Sequence, residues 1–558
     1  MISITTLALL SLLWVGLLFA AAYWSEQRVR ALERWRPWLY TFSLGIYCTS
    51  WAFYGTVGQA AATGWIIPPT YVGTILLFVF GIGFLRRLYD LTKRHNITSI
   101  ADWISARYGK SSGLAAAVTI IALFGITPYI ALQLKAVASG FELAGGAGVV
   151  DHRAVPLWRD GPFYIAAALA VFAGMFGTRK LDATEHQHGL VVAMAFESLL
   201  KLVALWVVGI GIAFWLSDEG LALFAVDTQN LVSMGDELFL TMAFLGVLAI
   251  FCLPRQFHVG LVECTDRRHL DTARWAFPLY LLAMSVFILP IARVGLAEFD
   301  GSAAGADTFV LALPIAAGNE FLVIMAFLGG LSAAISMVIM ASVALSIMLS
   351  NDVLMPVALR RGWVEPSGPG ITRTVLRLRR VTIGGLFMLA YGYYRYVAEA
   401  EALARMGGLA FAAVAQFGPA IVGGVYWRRA NRRGVYAGLA AGFGLWAWTL
   451  MIPNLVEAGW LSSRLLIEGP FGLGWARPQA LFGVEGLDPR AYSTLLSLAV
   501  NLVLFVGVSL ATGITPAERR HAQRFVESDA GTSGEWQARA SVADIEALLE
   551  EFFGGERV

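Results

Sequence analysis

The sequence predicts an all-α polytopic membrane protein, and three observations carry that prediction. Of 558 residues, 58% are hydrophobic and 14% charged, with a mean hydropathy of +0.66, which is more apolar surface than a water-soluble chain of this length can bury. The apolar residues gather in runs of roughly 17 to 25, long enough to cross a hydrocarbon core of about 30 Å. The loops between the runs carry Lys and Arg on alternate sides. A formal charge of +2 gives no reason to expect a nucleic-acid partner, so the expected surroundings are a lipid bilayer.

Thirteen spans are expected, near residues 3 to 23, 39 to 58, 66 to 86, 113 to 139, 162 to 178, 189 to 215, 236 to 254, 275 to 295, 319 to 349, 381 to 399, 403 to 426, 434 to 455 and 492 to 513. Basic clusters follow the odd-numbered spans: Arg28 to Arg36, Arg86 to Arg94, Arg179 with Lys180, Arg255 to Arg274, Arg373 to Arg380 and Arg428 to Arg433. The other loops are acidic or neutral, as at Asp227, Asp236, Glu298, Asp300 and Asp307. This alternation places the N-terminus outside and the C-terminus in the cytoplasm of a multi-pass inner-membrane protein. No Lys or Arg precedes the first run, as a secretory signal would require, so a retained anchor is expected.

Residues 1 to 513 form the expected membrane domain and 514 to 540 a polar linker. Residues 541 to 558 then read as a short amphipathic helix, with Val542, Ile545, Leu548, Leu549 and Phe552 at helical spacing. Such a helix needs a partner surface. Cys48, Cys252 and Cys264 suggest neither a disulfide framework nor a thiolate metal site. "TEHQH", residues 184 to 188, lacks the H-E-x-x-H order of a zinc helix and is expected to be a solvated loop.

Polar groups inside spans are expensive in lipid and therefore mark candidate sites. In span two, "SLGIYCTSWAFYGTVGQ", Thr49, Ser50 and Gln59 lie among Gly45, Gly55 and Gly58. That pattern fits either an interrupted helix with cation-binding carbonyls or close helix packing. Span four carries Gln133 and Lys135 beyond Pro128; Lys135 either snorkels outward or faces a cavity. Glu197 and Lys201 sit four residues apart on one face of span six, as a structural ion pair or as a substrate or proton-coupling element. In span nine, "GGLSAAISM" places Ala333 beside Ser332 and Ser336, either as oxygen ligands for a small cation or as packing glue.

"SIADWISARYG" from Ser99, "AFESLLKLVAL", "LPRQFHVGLVE" and "ARWAFPLYLL" resemble the sodium/solute symporter family, and within it the transporter-like sensor module of CbrA-type histidine kinases. The resemblance covers all thirteen spans. It implies a LeuT-type 5+5 inverted repeat, with spans two to six and seven to eleven as the halves. It further implies an ion site made of the Gly45 and Cys48 carbonyls with Ala333 and Ser336. Met337 stands where the family carries a second hydroxyl, and Tyr47 where proline-type symporters carry an Asp, so sodium, a proton or uncoupled operation all stay open. The terminal "SVADIEALLEEFFG" resembles the start of a transporter-to-kinase linker.

No phosphoacceptor or ATP-binding motif is read in the chain, so no enzyme activity and no cofactor beyond a coupling Na+ or H+ is expected. Two functions follow. One is secondary active transport of a small organic solute, an amino acid among the candidates. The other is a solute-sensing input module for a histidine kinase on a separate chain.

Overall fold

A computed structural model describes residues 2–28, 32–146, 152–177, 188–215, 219–303, 305–362, 371–398 and 401–526. These residues form helices and no strand. The first nine helices are α1 (Ile4–Gln27), α2 (Arg36–Ser43), α3 (Thr56–Thr63), α4 (Pro69–Phe80), α5 (Ile82–Arg94), α6 (Ile100–Arg107), α7 (Ser112–Ala144), α8 (Gly161–Gly177) and α9 (His188–Trp215). The next eight are α10 (Thr228–Ser233), α11 (Glu237–Cys252), α12 (Pro254–Phe257), α13 (His269–Ser285), α14 (Ile288–Glu298), α15 (Phe309–Ala316), α16 (Glu320–Met348) and α17 (Met355–Arg360). The last eight are α18 (Ile371–Tyr393), α19 (Leu403–Ala415), α20 (Gly418–Tyr426), α21 (Arg432–Trp446), α22 (Ile452–Glu457), α23 (Arg464–Ile467), α24 (Pro489–Thr512) and α25 (Pro516–Val526).

Helix starts follow local chemistry. The side chains of Ser3, Ser99, Ser111, Asn319 and Asn431 each accept a bond from a first-turn N–H, of Thr6, Asp102, Leu114, Leu322 and Gly434 respectively. Gly64 ends α3 with φ +73°, a conformation that suits glycine.

Among the described residues eight helices are long and apolar enough to cross a membrane, or ten if each of two bent pairs makes one span. One of those pairs turns by 78° between α4 and α5 at Gly81. The expected spans two, five and ten are not among those spans: span two is divided between α2 and α3, α8 is a short apolar helix, and α18 carries Arg373, Arg377, Arg379 and Arg380.

The core lies where α7, α9, α16 and α19 pack together, with α16 and α7 buried along most of their lengths. Span two threads this core and is interrupted twice over. A 3-10 turn, Leu44–Tyr47, leads into extended backbone at Cys48 (φ −80°, ψ 92°), and the chain resumes as a wide π turn, Trp51–Gly55. Span seven is interrupted likewise at Leu253 (φ −71°, ψ 123°), between α11 and the short α12, with a π turn at His258–Val262. An opened backbone is tolerated at membrane depth only where protein groups satisfy it.

The start of the expected polar linker is ordered as a helix. Thr515 and Glu518 bond each other's backbone N–H groups, at 3.2 and 3.1 Å, and so cap α25. Phe525 of α25 stacks on His95 at 4.3 Å and meets Trp103 of α6 edge-on at 5.3 Å. The amphipathic segment 541 to 558 and residues 184 to 187 of "TEHQH" lie outside the described residues.

Candidate functional site

The open carbonyls of span two have a partner, and it is Lys201. Its Nζ donates to the carbonyl of Gly45 at 3.0 Å and to that of Cys48 at 2.8 Å. These are the two oxygens expected to hold an ion. The lysine is fully buried, which is sustainable only because its donors meet carbonyls. On the sequence alone its neighbour would be Glu197; in the fold the ammonium reaches across to span two instead. Glu197 is also buried, and its Oε1 has no hydrogen-bond partner among the described residues.

The other side of the break is satisfied by α7. Gln133 Oε1 accepts from the Ser50 N–H at 3.2 Å, while its Nε2 donates to the Tyr129 carbonyl at 3.2 Å. Thr49 and Tyr129 share a hydroxyl bond of 3.0 Å. Gln133 and Thr49 therefore fall at the interruption of span two, and Gln133 does not line the cavity described below. Tyr47 donates to the Thr70 carbonyl at 3.2 Å, and Tyr71 to the Cys48 sulfur at 3.3 Å.

The small-residue run of α16 packs against the same region. Ser332 Oγ donates to the Glu197 carbonyl at 3.3 Å, and Ser336 Oγ to the Ser332 carbonyl at 3.1 Å. The Ser336 hydroxyl also faces the Glu197 carboxylate. Ala333 is buried beside them. Gly329 and Gly330 sit against Phe53 and Tyr54, where any larger residue would collide. The fold thus gathers Gly45, Cys48, Ala333, Ser336, Glu197 and Lys201 in one region, with the lysine holding the carbonyls.

Arg255 is a residue whose place the sequence did not disclose. It reads as one of the basic residues flanking span seven, but the chain turns at Leu253 and carries it inward. Its guanidinium lies 4.6 Å from the Tyr129 ring centroid, and Nη2 is 3.3 Å from the Tyr129 hydroxyl. It is buried, and Nε and Nη1 have no partner among the described residues; nor have the amide atoms of neighbouring Gln256. The only signal in the sequence was Pro254, which ends one helix and can start the next.

A cavity of about 550 Å³ opens at the end of the bundle where α7 finishes, the end that the alternation of basic loops leads one to expect outside. Gln59 and Lys135 line it, together with Tyr54, Asp307, Glu401 and Arg405. Lys135 does not snorkel to solvent: it donates to the carbonyls of Glu401 at 2.5 Å and Ala398 at 3.2 Å. Asp307 Oδ2 accepts from the Leu403 N–H at 2.7 Å, at the start of α19. Burial pushes the Glu401 carboxyl up to about 7, against the lowering pull of Arg405 and Lys135. In sequence Asp307 and Glu401 read as ordinary loop acids between apolar runs. One turn before Tyr54, Trp51 packs with Tyr129 and Phe411, the three ring centroids 5.1 to 6.4 Å apart.

No family model matches the chain. An uncharacterized symporter, YodF of Bacillus subtilis (strain 168), is 27% identical over 129 residues, which span 23% of this chain and 25% of that protein. Among solved structures, a Na+-coupled sialic acid symporter in a substrate-bound outward-open state is similar with a TM-score of 0.58. Identity there is 12%, over 90% of this chain and 98% of the other. The chain is therefore an all-helical polytopic membrane protein with the fold of that symporter.

Proposed function

We propose that the chain is a secondary transporter of a small organic solute, amino acids among the candidates. In this reading it works by alternating access of two inverted five-span halves, and a proton on Lys201 takes the part of a sodium ion at the Gly45–Cys48 site. The observation that carries the proposal is the placement of Nζ at 3.0 and 2.8 Å from those two carbonyls. An ammonium and a sodium ion carry the same charge and compete for the same oxygens. Sodium empties such a site by leaving; an ammonium empties it by losing one proton.

As a neutral amine Lys201 has two N–H donors and no charge, so its hold on span two weakens. The proton passes to water on the side to which the site then opens, and water on the other side later restores it. Glu197, one turn away on α9, is the relay we assign to that transfer. The interruptions of spans two and seven, the first span of each half, support the repeat. The alternating basic loops support an outside N-terminus and a cytoplasmic C-terminus.

Uptake of a radiolabelled amino-acid panel into proteoliposomes tests this reading. An inward proton gradient is expected to drive uptake equally in sodium and in choline buffers, and Lys201→Met to abolish the proton-driven component. Uptake that requires a sodium gradient while Lys201 is intact would sink the proposal.

The sensing alternative, with a histidine kinase as partner, draws support from one contact. Phe525 ties the segment after the membrane domain to α6, and Arg107 of α6 bonds the Gly424 and Trp427 carbonyls at 2.8 and 3.0 Å. A shift of α20 would thereby reach α25. Solute binding without uptake is the outcome that would favour it.

A further inference from the structure

We propose that the cavity at the end of α7 is a recognition site for an organic cation, an ammonium-bearing solute, with Glu401 and Asp307 as its acceptors. This goes beyond the coupling reading and can fail separately from it, because binding is measurable without movement across the membrane.

Three cations and two acids line the cavity: Lys135, Arg405, Arg490, Asp307 and Glu401. The hydrogen bonds of the cations go elsewhere, and Arg405 and Lys135 act on the Glu401 carboxyl only through space. Lys135 donates to backbone carbonyls, Arg405 binds Glu457 at 2.6 Å and Arg490 binds Asp488 at 3.0 Å. Asp307 meets a backbone N–H. Glu401 is 8% exposed, and neither carboxylate oxygen has a hydrogen-bond partner among the described residues. A buried carboxylate without a donor is costly, and a ligand that brings donors and positive charge relieves that cost.

The remaining lining selects the kind of cation. Tyr54 and Trp65 present rings, and Leu143, Leu238 and Met242 present apolar surface. A small metal ion prefers six or more oxygens packed closely around it. No group of three or more His, Cys, Asp or Glu suited to a metal occurs among the described residues. Two carboxylates facing a roomy, partly aromatic space suit an ammonium on an organic body, which gains hydrogen bonds at one end and ring and apolar contacts at the other.

The test is calorimetric titration of the full chain in lipid nanodiscs with three probes of one chain length: phenethylammonium, neutral 2-phenylethanol and anionic phenylacetate. Saturable binding is expected for the ammonium alone. Glu401→Gln and Asp307→Asn are each expected to weaken it about tenfold or more, as loss of a charged hydrogen bond implies. Both replacements keep the side-chain shape, and each is checked by the melting temperature of the unliganded protein; if one fails to fold, the other carries the test. Affinity is also expected to rise as pH increases through about 7, where Glu401 becomes charged beside Lys135, Arg405, Glu457 and Asp307. Equal binding of all three probes, no binding of the ammonium, or unchanged affinity in both variants would overturn the proposal.

Discussion

At the scale of single residues, the energetics turn on buried charge. Lys201 and Glu197 are both inside the bundle, and each limits the cost of the other and of its own desolvation. Lys201→Met leaves Glu197 uncompensated and two carbonyls open; Glu197→Gln leaves the ammonium with only its carbonyls. Each single change is expected to destabilise the protein by about 3 to 5 kcal/mol, and the double change by less than Lys201→Met alone, since it removes the stranded carboxylate but still opens the two carbonyls. Thermal unfolding in one detergent checks the order, and equal melting temperatures for all three variants would contradict it. The sequence disclosed these two residues because a charge in an apolar run is conspicuous. It did not disclose what Lys201 holds, since the Gly45 and Cys48 carbonyls lie more than 150 positions away. Arg255 and Glu401 were hidden for the opposite reason: each borders an apolar run, where charge is ordinary, and only tertiary structure buries it.

At the scale of elements, the small-residue stripe on α16 packs against the π turn of span two. Tyr54 donates to the Ala326 carbonyl at 3.0 Å, across a surface that Gly330 keeps flat. Gly330→Ala is expected to displace the Tyr54 ring and to cost about 1 to 3 kcal/mol, read as a lower melting temperature. Ser336→Ala, which keeps the small profile and loses a bond to the Ser332 carbonyl of its own helix, is expected to cost no more than the roughly 0.6 kcal/mol that hydroxyl bonds between membrane helices average. Met337→Ser alone is expected to confer no sodium dependence, because the carbonyls it would assist remain occupied. Sodium-protected thermal stability that appears in Met337→Ser with Lys201 intact would refute that view. Helix existence was legible here from hydropathy alone. The interruptions were legible only as clusters of small and polar residues, because where a helix opens depends on who satisfies its backbone.

At the scale of the whole molecule, the described residues yield eight spans, or ten with the bent pairs, where the hydropathy runs suggested thirteen. The three spans that make the difference are span two, divided between α2 and α3, span five, the short α8, and span ten, where α18 is long enough but carries four arginines. A topology reporter placed after Arg433 is expected on the cytoplasmic side and one near Gly469 outside, since Arg432–Trp446 continues through α22 to form one 26-residue apolar stretch between them. Reporters found on the same side would reject that assignment.

The seat of Lys201 has one more consequence. A cation on a covalent arm is present at an effective concentration set by the arm's geometry, commonly millimolar or above for short tethers, and not by the medium. Dilution cannot strip it and salt cannot saturate it. The occupancy of those two carbonyls would then track acidity alone, so that the protein would hold the same resting posture in fresh water as in brine.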